Sequence, residues 1–228
     1  MNPLILHIET SSRTCSVVLS SGPDMISSRT SDELYGHSAS LAMLIQQILY
    51  AEQIRVADLS AVSVSIGPGS YTGLRVGLST AKALCHASGC HLITSSTLES
   101  LAYTTATLNK NPVSRIIPVL DARRQDAYTA VFDGLGHRLR EDRCITVSPD
   151  CLDACLGGVD TAMICGEGID KWRDHFGQRP GFELVPMECH ASNLVGCGWK
   201  SFKKQEFADV TSSVPRYLKP PNISMSRK

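Results

Sequence analysis

Two stretches of this chain carry nearly the same message. Residues 3–8 (PLILHI) and 14–20 (TCSVVLS) predict an apolar strand and its hairpin partner, joined by the turn Glu9-Thr10-Ser11-Ser12-Arg13. Residues 115–121 (RIIPVLD) and 127–132 (AYTAVF) predict the same unit around a turn at 122–126. Glu9 aligns with Asp121, and Ser16-Val17-Val18 with Tyr128-Thr129-Ala130. A strand pair that recurs with a carboxylate at the end of its first strand marks an internal duplication. The chain is therefore expected to build two similar α/β lobes.

The elements between the hairpins fit that plan. A third strand is expected near Met25–Arg29. Residues 38–51 place Leu41, Leu44, Ile45, Ile48 and Leu49 at helical spacing. Strands follow at 61–66 and 91–94, with helices at 72–87, stopped by Gly89, and at 96–108. The second half predicts a helix at 149–156, a strand at 161–165 and a glycine turn, Gly166-Glu167-Gly168. A short helix near Trp172, a strand at 182–186 and a closing helix at 191–206 complete it. This divides the chain into lobes 1–108 and 109–214, joined around Asn109–Pro112, and a tail, 215–228. The tail holds three prolines and is expected to be extended or disordered.

Composition narrows the function. With 22 basic and 22 acidic residues the chain has no net charge to hold nucleic acid by its own field. No stretch approaches the roughly 18 apolar residues of a membrane span. Met1–Leu6 runs into a strand-like segment without a basic region followed by a long apolar one, so no targeting segment is expected. Nine cysteines without a Cys-x-x-Cys pair read as reduced thiols of a cytoplasmic protein.

Glu9 and Asp121, each before a polar turn, match the way two-lobed nucleotide-binding folds hold metal-bound phosphate. The plainer alternative is that each carboxylate caps its own turn. The stretch SIGPGSYTGLRVGLSTAKAL lacks the Lys-Ser/Thr of a P-loop, because Gly73 is followed by Leu74-Arg75. Its Gly67-x-Gly69-x-x-x-Gly73 spacing is one residue longer than the dinucleotide fingerprint, and no acid ends the next strand.

Gly73, Gly77 and Ala81 instead recur every four residues and leave one helix face bare. Two interior glycines cost about 1 kcal/mol each against alanine, so such a face implies close packing by a neighbour. That neighbour is either the chain itself or another subunit. Helix 38–51 carries no charge, and Met43, Gln47 and Tyr50 lie opposite its apolar stripe. This suits either a covered surface or a helix buried within one chain. Cys85, His86, Cys90 and His91 fit no structural zinc spacing, and neither His-Glu-x-x-His nor Gly-x-Ser-x-Gly occurs.

With these pieces in place, the blocks ILHIETSSRTCSVVL, SIGPGSYTGLRVGLSTAKAL, ITSSTLESLA, LDARRQDAY and PRYLKP occur in an order that resembles the TsaB (YeaZ) family. The resemblance spans nearly the whole chain, with GPGSYTGLRVG and DAR-x-x-x-x-Y its specific parts. It implies a duplicated, two-lobed α/β fold of the actin/sugar-kinase (ribonuclease-H-like) type. It also implies a non-catalytic subunit in making threonylcarbamoyladenosine on tRNA, one that binds and activates the catalytic relative TsaD. A His-x-x-x-His pair holds the metal in TsaD, and the matching positions here are Thr97 and Leu101. Neither residue type serves as a good ligand, so no metal and no catalytic residue are expected.

Partner contact is expected from His37, Met43, Gln47, Tyr50, Gly69, Gly73, Gly77 and Ala81. Glu9, Thr10, Ser11, Asp121 and Arg123 are the expected nucleotide-facing residues. The resemblance further implies a TsaE-like ATPase as third component, tRNA reached only through the complex, and a homodimer when the chain is alone. It implies no cofactor of its own, with ATP or ADP at the complex interface. The alternatives are an autonomous metallopeptidase-like (glycoprotease) activity and a nucleotide-binding enzyme.

Overall fold

The computed structural model describes residues 2–31, 37–111, 113–176 and 180–219. The first half runs β1 (Leu4–Glu9), β2 (Cys15–Ser21), β3 (Asp24–Ser31), α1 (His37–Ala51), β4 (Ala61–Ser65), α2 (Tyr71–Ser88), β5 (His91–Ser95) and α3 (Thr97–Leu108). The second runs β6 (Arg115–Asp121), β7 (Asp126–Asp133), β8 (Arg138–Thr146), α4 (Pro149–Leu156), β9 (Ala162–Gly166), α5 (Asp170–Phe176), β10 (Phe182–Pro186) and α6 (Asn193–Lys203).

The duplication is visible in the topology. One sheet has the order β3-β2-β1-β4-β5 and the other β8-β7-β6-β9-β10, the same order five strands later. In both, the first three strands pair antiparallel and the last two add in parallel. Register corrects the sequence alignment by one residue. Glu9 faces Ser16, whereas Asp121 faces Ala127, so Ser16 corresponds to Ala127 and not to Tyr128. The second turn is one residue shorter.

The sequence pattern had no place for β8, and the reason is physical. Its segment RLREDRCIT is an edge strand that exposes Leu139, Arg140 and Glu141 and buries the charged Asp142, so it lacks the apolar alternation that marks a strand. The central strands are the opposite case. All residues of β4 and β9 are buried, because helices cover both faces of each sheet.

The last helix of each half crosses to the other lobe. In α3, Leu98, Leu101 and Ala102 pack with Ile116, Leu120 and Phe132 of the second sheet. Around α6, Trp199 and Phe202 pack on Ile5, Ala61 and Ile93 of the first sheet. The two lobes are thus joined by exchanged helices as well as by the linker. The boundary at 108–109 separates the sheets but not the packing units.

Local signals set the helix ends. Ser70 caps α2 by accepting from the Gly73 N–H at 3.2 Å, and Gly89 closes it at φ +75°. Ser148, Pro149 and Gly157 do the same for α4.

Candidate functional site

α1 lies over β2 and β3 and buries the stripe of Leu41, Leu44, Ile45, Ile48 and Leu49 in the first lobe's core. Each such side chain contributes about 1.5–3 kcal/mol by leaving water. The opposite face is open. Met43 is 51% exposed, Tyr50 is 86% exposed, and Gln47 is exposed between them. The reading of α1 as a helix buried within one chain is therefore corrected. His37 opens the helix, and its side chain lies outside the described residues.

The glycine face of α2 is closed, which overturns its reading as a stripe open to a partner. A Cβ on Gly69 would stand 2.5 Å from the Ser11 carbonyl oxygen. One on Gly73 would overlap the Thr10 carbonyl, and one on Gly77 the Thr10 hydroxyl. Ala81, on the same face, is fully buried in the core. The neighbour that needed this space is the chain's own β1–β2 turn. Thr10 is fully buried on the helix and donates its hydroxyl to the Gly73 carbonyl at 2.8 Å. Glycine is required here because the approach is backbone to backbone.

That contact also decides where Glu9 points. Its carboxylate is fully buried, and Oε1 accepts from the Ser65 hydroxyl at 2.6 Å and from the Ser11 N–H at 2.7 Å. Burial pushes its pKa up, against the opposing pull of those hydrogen bonds. Glu9 and Thr10 thus do not face a ligand, contrary to the sequence expectation.

A cleft of about 820 Å³ between the lobes is walled by the other three residues of that set, Ser11, Asp121 and Arg123, with Arg13, Tyr71 and Glu167 nearby. Asp121 is exposed and accepts from Lys171 Nζ and from the Arg123 N–H, each at 2.6 Å. Partial burial would raise its pKa, but Lys171 and the Arg123 N–H outweigh it and hold the pKa below the usual range. A metal-bound triphosphate held by paired carboxylates does not fit these residues, because one acid is sealed inside and the other is paired with a lysine.

The tail holds the two lobes together, a role that the sequence reading missed. Its described part, 215–219, is extended and bonded to both lobes. The Arg216 N–H donates to the Ile66 carbonyl at 2.7 Å, and Gly67 is bare where the Arg216 carbonyl passes. The Tyr217 ring lies 4.8 Å from that of Tyr71, and its hydroxyl accepts from Arg75 at 2.8 Å. On the second lobe, Arg216 pairs with Glu141 and Asp142 at 3.2 Å, and Lys219 with Asp126 at 2.6 Å. Asp142 is buried and also accepts from Ser96, the cap of α3, at 2.7 Å. The clue was the spacing of Arg216, Tyr217 and Lys219 in PRYLKP, three side chains able to bridge. Residues 220–228 lie outside the described ones.

Thr97 and Leu101 lie fully buried in α3. Among the described residues, no three His, Cys, Asp or Glu side chains converge as a metal site would require. No helix among them is long and apolar enough to cross a membrane.

The exchanged helices, the duplicated sheets and the cleft between them define a two-lobed α/β protein of the actin/sugar-kinase type. An inorganic polyphosphate/ATP-glucomannokinase from Arthrobacter sp. strain KM shares the fold, with a TM-score of 0.51 at 11% identity over 89% of this chain and 100% of that one. YeaZ from Pseudomonas aeruginosa superposes with a TM-score of 0.80 at 20% identity, over 95% of this chain and 100% of that one.

In sequence, residues 34–225 match the family model described as TsaD: tRNA N6-adenosine threonylcarbamoyltransferase. The tRNA threonylcarbamoyladenosine biosynthesis protein TsaB of Bacillus subtilis (strain 168) is 31% identical, over 94% of this chain and 93% of the relative. That of Escherichia coli (strain K12) is 25% identical over 94% of each. The chain belongs to the TsaB (YeaZ) family, within the span of the TsaD family model.

Proposed function

We propose that this chain takes part in tRNA threonylcarbamoyladenosine biosynthesis as an accessory subunit that binds and activates a TsaD-like catalytic subunit. The names of its relatives support the pathway. The observation that carries the subunit role is the outer face of α1, a 15-residue helix with no charged side chain, where Met43, Gln47 and Tyr50 stand in solvent. Aromatic and methionine side chains on an uncharged face are the usual composition of an interface core.

The catalytic subunit performs the transfer to N6 of adenosine in this reading, and this chain shapes the surface it docks on. A balanced charge suits a subunit that meets tRNA only through the complex. A TsaE-like ATPase completes the assembly, and the same α1 face pairs two copies when the partner is absent. ATP or ADP at the complex interface would meet Ser11, Arg123 and Asp121, and not Glu9 or Thr10.

Size-exclusion chromatography with light scattering, on a mixture with the TsaD counterpart at tens of micromolar with ATP, tests the proposal. A complex is expected, and its absence would overturn it. Met43→Glu and Tyr50→Glu change only exposed positions, so both variants are expected to fold and to bind at least tenfold more weakly, about 1.4 kcal/mol. Unchanged affinity of both would place the interface elsewhere.

A further inference from the structure

The segment CHASGCH, left without a role by the metal and subunit readings, ends α2 with a thiol pair. Gly89 takes the left-handed conformation, and its N–H bonds to the Cys85 carbonyl at 2.8 Å. This turn folds the chain back so that Cys90 sits over the last helical turn, where a helix end of this type ordinarily places an apolar contact. The two sulfurs are 3.7 Å apart, and both thiols are free. Cys85 is buried and directs its thiol to the His91 carbonyl at 3.4 Å, whereas Cys90 is partly exposed. The Ser88 hydroxyl accepts from the Cys90 N–H at 3.3 Å and holds the turn. The neighbouring ring of His91 stacks on Phe207, 3.9 Å between centroids.

We propose that Cys85 and Cys90 form a thiol–disulfide modification site, with Cys90 as the entry thiol and Cys85 as the resolving one. The co-reactant is a low-molecular-weight disulfide. The Cys90 thiolate attacks one sulfur of that disulfide, breaking its S–S bond and releasing one small thiolate. Cys85 then loses its proton to solvent and attacks the Cys90 sulfur, expelling the second small thiolate. Two protein thiols are oxidised, and one small disulfide is reduced to two small thiols.

The assignment of roles follows from access: an incoming disulfide reaches Cys90 and not Cys85. Proton affinity agrees. The hydrogen bond with Cys85 pulls the Cys90 thiol down, with burial opposing and Ser88 assisting. The same pairing, together with burial, pushes Cys85 up. The thiolate is the nucleophile, so Cys90 is the reactive member near neutral pH.

Incubation of the full chain with oxidised glutathione at pH 7, followed by intact mass and peptide mapping, tests this. The expected product has seven free thiols of the original nine and a Cys85–Cys90 cross-link. Cys85→Ser is expected to stop at a glutathione adduct on Cys90, and Cys90→Ser to give neither adduct nor cross-link at this site. In the wild type, Cys90 is expected to react at least tenfold faster than the other partly exposed thiols, Cys144 and Cys151. This rate needs no variant to fold. A stable wild-type adduct without cross-link, or reaction of Cys90 no faster than Cys144 and Cys151, would overturn the proposal.

Discussion

The first hairpin (β1–β2) and its duplicate (β6–β7) begin from one topology and end with opposite fates for their carboxylates. Glu9 is sealed beneath Thr10 and Ser11 and bonds to Ser65. Asp121 stands at the cleft with Lys171. The difference lies in the helix beyond each hairpin. The approach to α2 and its first turns offer Gly69, Gly73 and Gly77 in succession, so the first hairpin's turn settles onto them. In the second lobe, close backbone approach ends at Gly166 and Gly168, which abut Val119 and Leu120. The turn meets α5 only through the long side chain of Lys171, which bonds to Asp121 and to the Asp126 carbonyl. Two acids at matching places in the duplicated topology are thus one buried group and one surface group.

Filling the first hairpin's seat should have the largest effect. Gly73→Val would place side-chain atoms inside the Thr10 backbone, which no rotamer relieves, and is expected to cost about 3 kcal/mol or more in urea unfolding. Gly77→Ala meets only the Thr10 hydroxyl. It should cost less, and Thr10→Ala should relieve part of that cost, with a coupling of about 1 kcal/mol. Additive effects would mean that Thr10 does not occupy the glycine seat.

Next comes removal of each acid. Glu9→Ala leaves the Ser65 hydroxyl and the Ser11 N–H without their buried acceptor, at an expected cost of about 2–3 kcal/mol. Asp121→Ala removes an exposed group and should change stability by less than about 1 kcal/mol. Equal costs would erase the contrast.

The smallest and sharpest test is pH, because the two acids should respond with opposite sign. The folded pKa of Glu9 lies above its unfolded value of 4.5. Its contribution is thus fully present below that value and is lost as pH rises through the raised pKa. Wild-type stability relative to Glu9→Gln should therefore fall with rising pH. The folded pKa of Asp121 lies below 3.8, so its contribution is present above that value and is lost on acidification. Stability relative to Asp121→Asn should fall as pH drops. Parallel profiles would show that both carboxylates share one environment.

Much of this was legible in the residues. The hairpins, α1 and its buried stripe, the capped α2 and the fully buried β4 follow from apolar periodicity and from Ser70 and Gly89. The exposed Met43 and Tyr50 were placed correctly by helical spacing alone. β8 was not legible, because an edge strand that exposes Leu139 and buries the charged Asp142 leaves no apolar period to detect. Arg216 and Lys219 were not, because their partners Asp142 and Asp126 lie in the second lobe, far away in sequence.

The sequence by itself determined that this chain has two related lobes and that a face of α2 must accept an unusually close neighbour. It could not name the neighbour, because a missing Cβ records only that space is needed and not what fills it. Tertiary structure supplied Thr10, and with it the burial of Glu9, since only the folded β1–β2 turn brings a backbone 63 residues distant onto Gly73.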